Sequence, residues 1–127
     1  MNIHESAEDY LECIHMETLR RGFVRSIDIA NALGYSKPSV SVAMKNLEEN
    51  GYIWRDEDRF IHLTDTGREI AVRIYERHET LAALLMRLGV SKEVAYRDAC
   101  KIEHDLSDET FDLIRDYARR VVPDAIP

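Results

Sequence analysis

At 127 residues, with 45% hydrophobic and 32% charged side chains, the chain is long enough for one compact two-part domain, and it has no apolar run that could cross a membrane or serve as a secretory signal. Cys13 and Cys100 are too few for a disulfide scaffold, and a cytoplasmic protein is expected. The net charge of −7 argues at first against a nucleic-acid partner, yet residues 20–55 carry six basic groups against three acidic ones, whereas residues 98–127 carry four against eight. The first stretch suits phosphate and the second suits a cation.

Residues 5–20 read as a helix whose apolar stripe is Ala7, Tyr10, Leu11 and Ile14, with Cys13 near the buried side. Asp9 and Glu12, three apart, share one side of it next to that stripe, where a solvated acidic face is the plain alternative to a metal-binding role. Ser26 is expected to cap a short helix running through Leu33, with Gly34 ending it. Ser36 caps the next helix, with Pro38 in its first turn, and that helix runs to about Asn50. Val40, Met44 and Leu47 form its buried row, which leaves Lys37, Ser39, Ser41, Val42 and Lys45 available to a DNA groove. Tyr52–Arg55 and Arg59–Leu63 then read as two strands around the polar turn Asp56-Glu57-Asp58. A helix-turn-helix followed at once by a hairpin is a winged helix, and the order is specific enough to predict DNA binding. Ser36, Pro38, Ser39, Ser41 and Val42 are expected in the groove, with Lys37, Lys45, Arg25, Arg55 and Arg59 on phosphate.

Beyond the hairpin, Thr64 caps a helix from about Asp65 to Arg87 that Gly89 closes, Ser91 caps one to about Asp105, and Ser107-Asp108-Glu109 opens a last one through about Val121. Pro123–Pro127 reads as a frayed tail. His78 falls in the inward row Ile74, His78, Leu81, Leu85, where a hydrogen-bonded core histidine is the plainer reading. Cys100-Lys101-Ile102-Glu103-His104 is the most informative segment: on a helix its i, i+3, i+4 spacing points a thiol, a carboxylate and an imidazole from one face, a donor mixture for a transition metal rather than Ca(II) or Mg(II). Leu81, Leu84, Leu85 and Leu88, with the apolar residues of the last two helices, exceed what a small helical tail hides alone, so a dimer interface is expected there.

From about residue 5 to about residue 120 the chain resembles the diphtheria toxin repressor and manganese transport regulator family of metal-dependent transcriptional repressors. The matching stretches are Glu8-Asp9-Tyr10-Leu11, Ile29-Ala30 through Leu33, Ser36-Lys37-Pro38-Ser39-Val40-Ser41, Leu63-Thr64-Asp65-Thr66-Gly67, Arg77-His78, and Ala99-Cys100-Lys101-Ile102-Glu103-His104-Asp105-Leu106-Ser107. The resemblance implies a homodimer whose bound Mn(II) or Fe(II) fixes the DNA-binding helices for a palindromic operator. Asp9, Glu12, His78, Cys100, Glu103 and His104 fall on the family's ligand positions. The chain is a hybrid of two branches: the manganese branch usually has Glu at the position of Cys100, and the iron branch typically has Met at that of Asp9. Ala82 and Tyr96 stand where the iron branch's ancillary site has Glu and His. That branch often adds a C-terminal β-barrel domain, and none is expected with the chain stopping soon after the last helix.

The expected fold is therefore mainly α, a winged helix-turn-helix DNA-binding domain over residues 1–70 followed by a helical metal-binding and dimerisation domain over 71–127. The expected function is a metal-dependent repressor of manganese or iron uptake genes, with a winged-helix regulator whose cluster is vestigial or senses another signal as the alternative. A metallohydrolase reading leaves the winged helix unexplained and lacks a recognisable base beside an open metal position.

Overall fold

The structure, a computed structural model, describes residues 5–127, with side chains from Ser6 onward. Two compact units make up the chain, residues 1–72 and 73–127, and the division falls inside one long helix. The predicted mainly α class with a single small hairpin is what is found. The first four residues of the expected DNA-binding part lie outside the described residues.

The first unit contains α1 (Glu5–Arg21), α2 (Ser26–Leu33), α3 (Lys37–Glu49), β1 (Ile53–Arg55), β2 (Ile61–Leu63) and the opening turns of α4 (Asp65–Arg87). Its core joins the predicted stripes: Tyr10, Leu11 and Ile14 from α1, Ile29 and Ala30 from α2, and Val40, Met44 and Leu47 from α3, closed by Ile53, Ile61 and Ala71. Each large aliphatic side chain buried there is worth about 1.5–3 kcal/mol, which is why the periodicity decides the fold. Gly34 takes the left-handed conformation (φ 71°) that ends α2, and Ser36 Oγ accepts the Ser39 N–H at 3.3 Å to start α3 with Pro38 in its first turn. The two strands pair antiparallel, with Trp54 opposite His62. Gly67 is required at the start of α4, because a Cβ there would collide with the Tyr52 carbonyl oxygen.

Two local expectations change here. The cap of α2 is Arg25 rather than Ser26, since the Asp28 carboxylate accepts the Arg25 N–H at 2.9 Å and draws Ser26 into the first turn. The hairpin strands are shorter than predicted. Asp56 Oδ1 accepts the N–H groups of Asp58 (2.9 Å) and Phe60 (3.0 Å), and Arg59 adopts φ 66°, so Arg59 and Phe60 belong to the turn.

The second unit comprises the remainder of α4, α5 (Lys92–Ile102), α6 (Asp108–Val121) and a 3-10 turn, Pro123–Ala125, in place of the expected frayed tail. Leu81, Ala82 and Ala99 are buried together with Tyr96, Leu106 and Ile114 packed on them, the alanines letting α4 and α5 approach closely. Ser107 Oγ accepts the Thr110 N–H at 3.1 Å to cap α6 as predicted. The helix expected to reach about Asp105 stops at Ile102, and Glu103 is its C-cap. Buried Arg77 organises that stop: its Nη1 donates to the carbonyls of Glu103 (3.0 Å) and Leu106 (2.7 Å), its Nη2 donates to Asp108 Oδ1 (2.6 Å), and it lies over the Phe111 ring. The bond to Glu103 satisfies a carbonyl that the end of α5 would otherwise leave bare, and the one to Leu106 fixes the connection into α6.

Candidate metal centre and nucleic-acid interface

Glu103 is the centre of the second unit's cluster. It keeps helical backbone angles (φ −60°, ψ −29°) at the cap position, so it still projects near the face that carries Cys100. Its carboxylate is fully buried, with Oε2 2.8 Å from His78 Nδ1 and Oε1 3.4 Å from His104 Nε2. His78, Cys100 and Glu103 each offer one donor atom, all within 4.8 Å of one another. The side chains of His78 and His104 are 12% and 3% exposed, so the inward row predicted for His78 holds. Burying a carboxylate is far costlier than any one hydrogen bond returns, and an imidazole and a thiol within reach of it are a donor set that suits a borderline-soft divalent cation. The residues fit a transition metal.

Surroundings hold the site still. Tyr96 Oη donates to Glu79 Oε2 at 2.8 Å while its ring packs 5.2 Å from that of His78, and burial with the Glu79 bond pushes its phenol up to about 12. The sequence marks Tyr96 only as standing where a histidine would, and its pattern assigns Arg77 no role. Their contacts join α4 to residues 17 to 31 positions away, beyond the reach of any local pattern.

Cys100 is exposed, whereas Cys13 is buried as expected and its thiol is pushed up to about 12 by desolvation and by the carboxylates of Glu17 and Glu12. Asp9 and Glu12 sit on α1 of the first unit, Glu12 buried and Asp9 half-buried.

In the first unit every residue predicted for the groove is exposed: Ser36, Lys37, Pro38, Ser39, Ser41, Val42 and Lys45 line the open side of α3, with Val42 61% accessible. A cavity of about 280 Å³ lined by Ser26, Ile27, Lys37 and Ser41 lies between the first turns of α2 and α3. Arg25 and Arg59 are exposed, whereas Arg55 is paired with Glu48 at 2.9 Å, a bond that draws the Glu48 carboxyl below its usual range. Asp56 is likewise held low by the His62 hydrogen bond (2.8 Å), and His62 stacks on Trp54 at 4.2 Å.

Comparison with known proteins agrees with both halves of this description. Residues 2–59 match the iron dependent repressor N-terminal DNA binding domain, and residues 64–122 match the iron dependent repressor metal binding and dimerisation domain. The HTH-type transcriptional regulator MntR of Geobacillus kaustophilus is 40% identical over 114 residues, 90% of this chain and 81% of that protein. The chain belongs to this family of metal-dependent transcriptional regulators. Among solved structures, T. acidophilum IdeR aligns with a TM-score of 0.78 at 27% identity, covering 92% of this chain and 55% of that one. A manganese-dependent transcriptional repressor in complex with manganese aligns with a TM-score of 0.76 at 28% identity, covering 88% and 52%. The chain thus spans about half the length of these solved relatives. The resemblance and the fold class expected from the sequence are borne out. In this family the N-terminal domain binds DNA and the C-terminal domain binds metal and mediates dimerisation, so the chain is a DNA-binding regulator and not an enzyme. Among the described residues no helix is long and apolar enough to cross a membrane.

Proposed function

We propose that the protein is a cytoplasmic repressor of manganese or iron uptake genes that binds a palindromic operator as a homodimer when loaded with Mn(II) or Fe(II). The observation that carries this reading is the fully buried Glu103 carboxylate between His78 and His104 with Cys100 beside it. His78, Cys100, Glu103 and His104 would hold the metal, and Asp9 and Glu12, on the family's remaining ligand positions, would complete the set from α1. The bound ion supplies positive charge that offsets the repulsion among these carboxylates, and this is how it would favour one arrangement of the chain. The DNA-binding part is taken as residues 1–70 and the metal-binding part as 71–127.

On the DNA side, Ser36, Ser39 and Ser41 would bond bases or phosphates, Pro38 and Val42 would touch thymine methyls or the groove wall, and Lys37, Lys45, Arg25, Arg59 and Arg55 would meet phosphate, Arg55 while shared with Glu48. Few of these side chains read bases in a bidentate way, so methyl contacts and DNA shape carry much of the specificity. The soft sulfur of Cys100 raises affinity for Fe(II), Co(II) and Zn(II) relative to Mn(II), while Asp9 offers the hard oxygen that Mn(II) accepts. Anaerobic titration of the dimer with each metal tests this. Fe(II) should activate operator binding at least as well as Mn(II), Cys100→Glu should shift the response toward Mn(II), and Asp9→Met should shift it toward Fe(II). A metal order unaffected by either substitution contradicts the assigned ligands.

A further inference from the structure

The wing and the start of α2 meet in one exposed cluster that the sequence did not reveal. Ile61 N–H donates to the Val24 carbonyl at 2.8 Å, so β2 is tied by its backbone to the residue before Arg25. One residue along from this tie on each chain, the Arg25 guanidinium carbon lies 4.3 Å from the centroid of the Phe60 ring. Phe23, 55% exposed, braces that ring edge-on at 5.2 Å. Both backbones are fixed as well: Phe60 exchanges hydrogen bonds with Asp56, and the Arg25 N–H is held by Asp28. The carboxylate nearest in sequence does not take the Arg25 charge, because Asp28 Oδ1 is engaged by Arg21 at 2.9 Å and Oδ2 by the Arg25 backbone. An aromatic ring occupies the flat face of a guanidinium and leaves its in-plane N–H fork open.

We propose that Phe60 is a positioning residue for operator binding, holding the Arg25 guanidinium ready for a backbone phosphate, so that part of the wing's contribution to affinity passes through Arg25. The proposal rests on the reading that Arg25 contacts phosphate. A long side chain that is already restrained loses less freedom on docking, and this is the source of the gain.

Operator affinity of the metal-saturated dimer, measured by fluorescence anisotropy over a range of salt for Arg25→Ala, Phe60→Leu, Phe60→Tyr and the Arg25→Ala/Phe60→Leu double variant, tests it. Arg25→Ala should weaken binding and flatten the salt dependence by roughly one charge per subunit. Phe60→Leu should weaken binding about two- to five-fold per subunit, hence about four- to 25-fold for a dimer. Phe60→Tyr, which keeps the ring, should bind as the parent does, and Phe60→Leu should cost nothing further once Arg25 is alanine. Thermal unfolding of each free protein identifies a folding defect, and Phe60→Met stands in for Phe60→Leu if the latter destabilises the unit. An equal loss from Phe60→Leu with and without Arg25 overturns the positioning role while leaving the phosphate contact in place. If Arg25→Ala keeps the parent's affinity and salt slope, the phosphate reading itself fails and the proposal falls with it.

Discussion

Glu103→Gln separates a metal ligand from a structural carboxylate. Glu103 is fully buried, with His78 Nδ1 at 2.8 Å and His104 Nε2 at 3.4 Å, and glutamine keeps its shape while removing the charge. In chelator, the loss of one imidazole–carboxylate attraction is offset by relief of the desolvation cost of a buried carboxylate, so the unfolding midpoint should move by no more than the equivalent of about 1 kcal/mol in either direction. In metal the two proteins should part. An ion at 100 times its Kd stabilises the parent by about 2.7 kcal/mol, and at about 3–5 °C per kcal/mol for a chain of this size the midpoint should rise by about 8–13 °C. The glutamine variant should lose most of that rise. Calorimetry at one fixed dimer concentration, with chelator and then with Mn(II), measures both quantities. A metal-induced rise in Glu103→Gln as large as the parent's would refute the placement of the metal at this carboxylate.

Three further outcomes follow from particular contacts. Lys45, exposed on the open side of α3, is assigned to the phosphate backbone, so Lys45→Ala should weaken binding to all sequences alike and flatten the salt dependence by roughly one charge, and a changed sequence preference at unchanged slope would contradict that role. The Asp56 carboxyl is held below its ordinary 3.8 by the His62 hydrogen bond, so its support of the wing turn is complete above that pH and is lost as pH falls through the lowered value; the side-chain carboxyl resonance of Asp56 followed by NMR should titrate with its midpoint below 3.8, and a midpoint above it would contradict the assignment. With the Cys13 thiol pushed up to about 12 and buried, and Cys100 exposed, one thiol per metal-free subunit should react quickly with a disulfide reagent at pH 8 and should slow when metal is added, whereas equal rates for both would count against the site.

Much of this molecule is legible in its sequence because its decisive signals are local. The apolar rows of α1 and α3, the left-handed Gly34, and the Ser36 and Ser107 caps each act within one or two turns of helix, and they place the elements within a residue or two. Where local signals compete, the reading slips. Asp28 outbids Ser26 for the start of α2, and Asp56 gathers two N–H groups that the longer strand would have used. The i, i+3, i+4 spacing is enough to bring Cys100, Glu103 and His104 together as candidate donors, but the stop of α5 at Ile102 is not legible in it, since that stop depends on Arg77 reaching carbonyls 26 and 29 residues away. The Arg25–Phe60 pair joins two elements 35 positions apart through a ring face, which no periodicity encodes.

Operator affinity at one fixed salt concentration, compared for the metal-free and the metal-saturated dimer, tests the central claim most directly. Coupling of about 1–3 kcal/mol between the sites would raise operator affinity about five- to 150-fold on saturation, and by linkage the operator must raise metal affinity by the same factor. Glu103→Ala and His104→Ala should abolish the difference. Equal affinity of the two forms, or a metal response that survives both substitutions, would contradict the account.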